Sequence, residues 1–171
     1  MSSNTVSSYI AWITPTPGDP THSLLRAHLI FEQLLDAFLE RSLVHASALS
    51  DARFTFVQKL AIARAAAHGI PPNHWTWQAV ARLNKIRNSL AHSPGPKLAN
   101  DLHDYVQYYV KHSEHPLPSA QPVQSQRTRE SADSERPAYT AADMVTVGLY
   151  IALGSRLGFD VSTFADPESA A

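Results

Sequence analysis

THSLLRAHLIFEQLLDAFLERSLVHASALSDARFTFVQKLAIARAAAH, residues 21–68, runs for 48 positions without a glycine or a proline. Strands must reverse, and their turns need such punctuation, so the stretch reads as long helices. The 24 alanines of the chain favour the same state. A first helix is expected over His22–His45, after Asp19-Pro20-Thr21. Leu24, Ala27, Phe31, Leu34, Leu35 and Phe38 recur at three- and four-residue steps and mark its buried face. A second helix is expected from Ser50, as N-cap, to Gly69, as the C′ residue. Its apolar positions are Phe54, Val57, Leu60, Ile62 and Ala65.

Beyond this stretch the punctuation returns. Ile70-Pro71-Pro72-Asn73 resets the chain, and a third helix follows over His74–His92 with Val80, Leu83, Ile86 and Leu90 inward. Ser93-Pro94-Gly95-Pro96 stops it. A fourth, over Lys97–Lys111, carries Leu98, Leu102, Tyr105, Val106, Tyr109 and Val110 on its packing side. From Ser113 to Pro137, 12 of 25 residues are Ser, Pro or Gln and none is aromatic. Such a segment buries too little to offset its ordering entropy, and it reads as a flexible linker. Thr140-Ala141-Ala142-Asp143 resembles a capping box with Asp in place of Glu, and opens a last helix over Ala141–Arg156. That helix has so little polar surface that it must dock on something. The expected fold is all-α, an antiparallel four- to five-helix bundle. Residues 1–21 form an extension, 22–112 the core, 113–137 the linker, 138–160 the docking helix and 161–171 a frayed tail.

Composition narrows the function. The chain has 171 residues, 44% of them hydrophobic and 17% charged, which excludes a disordered chain and suits one domain with a real core. With no cysteine, disulfides, thiolate-bound zinc, iron–sulfur clusters and thiol chemistry are excluded. The start lacks the basic and long apolar regions of a signal peptide, and no apolar run would span a bilayer, so a cytoplasmic, non-membrane protein is expected. A net charge of −1 argues against a globally basic surface. It is nevertheless a cancellation. Residues 82–112 hold five Lys or Arg against two acids, and residues 138–171 one Arg against four acids.

One string in the basic part concentrates polar function: Arg82-Leu83-Asn84-Lys85-Ile86-Arg87-Asn88-Ser89-Leu90-Ala91-His92. Arg87 offers a permanent charge and a planar fork of donors suited to phosphate. His92 can exchange a proton near neutral pH. Asn84 and Asn88 can hold a phosphate oxygen, a sugar hydroxyl or the arginine itself. Five residues on an α-helix separate Arg87 from His92 by roughly 140° and about 7.5 Å of rise. They share no stripe unless the helix unwinds near Ala91.

RNSLAH resembles the signature of the HEPN superfamily, an Arg followed by a polar residue, with four to six positions in total before a His. Arg26-Ala27-His28-Leu29-Ile30-Phe31-Glu32-Gln33-Leu34-Leu35 looks like the acidic-bearing first helix of such domains. Phe54–Gly69 followed by LNKIRNSLAH is similar to mannitol-repressor-like and related branches. The match covers about residues 22–112. It implies a bundle that dimerises and sets two Arg/His motifs face to face, in many members as a metal-independent endoribonuclease of defence, stress response or a toxin–antitoxin pair. Arg87, Asn88 and His92 would then be catalytic, with Glu32, Asn84 and Lys85 supporting. RNA, a second copy and an antitoxin or regulatory protein would be the partners, with no cofactor or metal. The alternative is a non-catalytic regulatory or interaction module, as in mannitol-repressor-like proteins. One branch carries an adenylylated Tyr two residues after the motif His; here that position is Pro94, and the resemblance does not extend to that regulation.

The remaining candidates are weaker. His28, Glu32 and Asp36 stand at i, i+4 steps and read as a solvated stripe, unless Glu32 pairs with Arg87 and tunes the site. The nine histidines include no HExxH; His103 and His112 stand nine apart, too far for shared coordination, and His112 and His115 lie at the edge of the expected linker. Trp77 and Tyr105 are expected in the core, whereas Tyr108 could pack or stack on a nucleobase. There is no glycine-rich phosphate loop and no nucleophile elbow.

Overall fold

The computed structural model describes residues 20–49, 52–92, 96–114 and 141–161. All regular structure among them is helical: α1 over Pro20–Ser42, a single 3-10 turn over Ala46–Leu49, α2 over Phe56–Ala66, α3 over Trp75–His92, α4 over Pro96–His112 and α5 over Ala141–Arg156. The all-α bundle expected from the sequence is what forms. Ser50, the Ser93-Pro94-Gly95 stop, Thr140, most of the expected linker and the residues past Val161 lie outside the described residues, as does the N-terminal extension up to residue 19.

In α1 every position of the expected stripe is buried. The stripe faces several partners, because α1 packs against α2, α3 and α5. Helix α3 touches all four others, and α4 packs on α3 and α5. Four helices thus form a closed arrangement in which α1 and α4 do not meet, and α2 covers the edge between α1 and α3. Helix α5 is central. Its residues 142–147 are buried in succession, as an all-round apolar helix requires. Met144, Val145, Val147, Leu149, Tyr150 and Leu153 all belong to the common core. Tyr150 meets Phe31 of α1 edge to face at 5.7 Å. Buried Tyr105 of α4 donates its hydroxyl to Thr146 Oγ1 at 3.3 Å, and Thr146 donates in turn to Ala142 O at 2.7 Å.

Helix α2 departs most from expectation. Its N-cap is Thr55, whose Oγ1 accepts from Gln58 N–H, while Gln58 Oε1 accepts from Thr55 N–H at 2.9 Å. This is a capping box, and it places the N-cap five residues after that expected. The helix ends at Ala66, and Gly69 is not left-handed. The buried positions are Phe56, Leu60 and Ala63; of the expected stripe Leu60 is buried and Ile62 packs against the core, whereas Ala65 is exposed and Val57 is 59% exposed. On α4, Val110 also faces out.

The left-handed glycine is Gly158, with φ +78°. It ends α5 in a Schellman motif: Phe159 N–H donates to Gly154 O and Gly158 N–H to Ser155 O, both at 3.0 Å. Arg41, at the end of α1, donates to the carbonyls of Leu157 and Gly158 and lies over the Phe159 ring at 4.1 Å. It thereby satisfies two backbone acceptors of the turn that follows α5. Val161, in the expected tail, is buried.

Candidate functional site

Helix α3 begins where His74 caps it, with Nδ1 accepting from the Thr76 hydroxyl at 2.9 Å and from Thr76 N–H at 3.4 Å. Trp77 anchors the preceding turn by donating Nε1–H to Pro71 O at 3.2 Å. The inner stripe Val80, Leu83 and Ile86 is buried, so the intervening residues Asn84, Arg87 and Asn88 are carried on another face. Helix α3 runs on to His92 without unwinding at Ala91. Arg87 and His92 therefore keep the helical offset, and one copy of α3 does not put both on one stripe. The side chain of His92 lies outside the described residues.

The basic string is divided between two tasks. Lys85 donates to Asp101 Oδ1 at 2.6 Å, and Ser89 donates to Asp101 Oδ2 at 2.8 Å. Both bonds tie α3 to α4, so Lys85 is a structural clip. The Lys85 and Ser89 hydrogen bonds hold the Asp101 carboxyl below the usual carboxylate range, against the opposing pull of burial. Asp101→Ala should remove both bonds and strand the buried Ser89 hydroxyl, lowering stability by about 1–2 kcal/mol in urea denaturation. Asp101→Asn, which still accepts from Ser89, should cost less.

Arg87 and Asn88 belong to the other task. Both are exposed, and Arg87 Nη1 donates to Asn88 Oδ1 at 3.2 Å. Among the described residues no carboxylate pairs with Arg87. The pairing of Glu32 with Arg87 is not formed: Glu32 and Asp36 both accept from Lys59 of α2, at 2.9 and 2.7 Å. Lys59 lies closer because α2 packs along α1 at that level. Burial pulls the Lys59 ammonium down, but its hydrogen bonds to Asp36 and Glu32 prevail and the pKa is raised.

His28 is the residue that sequence reasoning missed. It is only 7% exposed, its ring lies 4.3 Å from that of Phe56, and Nε2–H donates to Asn84 Oδ1 at 3.0 Å. Burial pushes its pKa down, the Asn84 bond and Glu32 oppose this, and Arg87 adds to it. The supposed solvated stripe thus grades from buried His28 through half-buried Glu32 to exposed Asp36.

Trp77 and Tyr105 are core residues, as expected. Tyr108 is half-buried and engaged twice: Arg82 lies 4.2 Å from its ring centroid and His112 stacks on it at 4.2 Å. Two groups at that distance cannot share one ring face, so neither face is open to a nucleobase. No group of three or more His, Asp or Glu among the described residues is placed to hold a metal ion. No helix among them is long and apolar enough to cross a membrane. Comparison with protein-family models, curated proteins and solved structures finds no match.

Proposed function

We propose that this chain is a metal-independent endoribonuclease of the HEPN type, acting as a dimer. The observation that supports it is Arg87: an exposed guanidinium that, among the described residues, has no carboxylate partner and a side-chain bond to Asn88 alone. Its neighbour Lys85 has been spent on Asp101, which makes the contrast informative. A charge held on a rigid helix and left unneutralised is suited to a phosphate.

In the reaction the RNA 2′-oxygen attacks the adjacent phosphorus and the bond to the 5′-oxygen breaks, giving a 2′,3′-cyclic phosphate and a 5′-hydroxyl. A base removes the 2′ proton, an acid protonates the leaving oxygen, and Arg87 stabilises the charge gathering on the phosphoryl oxygens. Two His92 side chains, one from each copy, supply base and acid. One chain carries a single such histidine, and the need for both a base and an acid calls for the second copy.

Purified protein incubated with RNA in excess EDTA should cleave it and leave cyclic phosphate ends. Arg87→Ala and His92→Ala should each lower the rate by about 100-fold or more while the protein stays folded and dimeric. Absence of cleavage, or cleavage that survives both substitutions, would sink the catalytic reading and leave the non-catalytic module.

A further inference from the structure

Asn84, Arg87 and Asn88 stand at i, i+3 and i+4 and share one face of α3. Two asparagine amides ordinarily offer acceptors as well as donors. Here each carbonyl end already accepts one bond. Asn84 Oδ1 accepts from His28, and Asn88 Oδ1 accepts from Arg87. What remains are two NH2 groups and the other guanidinium N–H groups, which bond to no other side chain among the described residues. A face that mainly donates suits a ligand that only accepts.

We infer that His28 is a positioning residue for this face: by holding Asn84 Oδ1 toward α1, it adds the Asn84 amide to Arg87 and Asn88 as a third donor for phosphate oxygen. The inference rests on the reading of α3 as a phosphate-handling surface. His28 is built for the task. Its ring lies against Phe56 in a nearly closed site, and neutral imidazole with Nε2–H toward α3 has one donor to give. Were the Asn84 amide to flip, its NH2 would meet that N–H donor to donor, and both would lose a partner in a half-buried place. The flip is therefore suppressed, and the NH2 stays outward.

The test uses the full-length, 15N-labelled protein and inorganic phosphate as probe. The side-chain amide signals of Asn84 and Asn88 and the Arg87 Nε–H signal should shift together with one midpoint. In His28→Leu phosphate should bind about fivefold more weakly, the worth of one neutral hydrogen bond, and the Asn84 signal should drop out of the response. His28→Gln, whose side-chain amide can donate in the same direction, should restore both. A merely structural histidine would not show that rescue. Asn84→Asp, which keeps the acceptor for His28 but replaces the donor with a negative group, should abolish the response. The inference is overturned if Asn84 ignores phosphate in the wild type, if all three signals do, or if His28→Leu binds phosphate as the wild type does. A phosphate response of the expected form without RNA cleavage supports the inference and overturns only the ribonuclease.

Discussion

Gly148→Ala should destabilise the protein by about 2–3 kcal/mol, although alanine is the better helix former by about 1 kcal/mol. A Cβ at position 148 would overlap Tyr109 Oη and lie 2.9 Å from its Cζ. Tyr109 cannot easily retreat: it is 2% exposed, and its ring meets Trp75 edge to face at 5.5 Å. The overpacking therefore falls on the α4–α5 contact. Tyr109→Phe removes the overlapping hydroxyl oxygen and leaves the ring, so the double variant should recover part of the loss. A coupling of about 1 kcal/mol or more in a double-mutant cycle, read from urea midpoints at constant slope, is the expected sign of direct contact. Gly154→Ala makes a useful contrast. Its Cβ would overlap only Val161 Cγ1, a single methyl group with the next atoms at 3.9 Å, so relief takes a smaller movement and the cost should be lower. If Gly148→Ala melts with the wild type, α5 does not sit on α4 in this register.

The helices were legible wherever apolar residues fell on one side. The α1 stripe and three of the four α3 stripe positions are buried as the periodicity predicts. Helix α2 failed because it is apolar on several sides, with Val57, Ala61, Ile62 and Ala65 competing with the residues that pack. Its start was written in Thr55-Phe56-Val57-Gln58, a capping box that the breaker-free run obscured. Helix α5 shows the opposite limit. Its bounds were readable to the residue, and its composition required burial. Composition names no partners, however, and its place at the centre against α1, α3 and α4 comes only from the tertiary packing.

The candidate site divides along the same line. Residue types on α3 were visible in the sequence, but the partners of Lys85, Ser89 and Asn84 were not, because each lies across a helix boundary. Lys85 reaches 16 residues to Asp101, Lys59 reaches 27 to Glu32, and His28 reaches 56 to Asn84. A polar stripe at i, i+4 spacing carries no mark of how deeply its first member sits. His28 was hidden for that reason, and so was the choice of Lys59 over Arg87 by Glu32.

Acidification should destabilise the fold from about pH 6.5 downward, with His28 and His74 as the responsible groups. Burial lowers the pKa of His28, with Asn84 and Glu32 opposing and Arg87 assisting. Burial and then Arg156 lower that of His74, against Glu114. In the unfolded chain both regain the ordinary value near 6.5. Just below that pH the unfolded state takes up protons that the folded state declines, so stability rises with pH. The contribution is complete above 6.5 and is lost as pH falls toward the folded values. Each histidine limits the slope to about 1.4 kcal/mol per pH unit, and the two together to about 2.7. Asp101 is lowered from its ordinary 3.8, so its contribution is lost only below that value, outside the histidine window. Lys59, raised above 10.5, acts on the alkaline side alone. Urea midpoints from pH 7.5 to 4.5 should therefore flatten in His28→Gln, flatten again when His74→Gln is added, and keep the wild-type slope in Asp101→Ala. A wild-type profile already flat across that range would mean that both imidazoles take up protons in the fold as they do in the unfolded chain, with Asn84 and Glu32 balancing burial and Arg87 at His28.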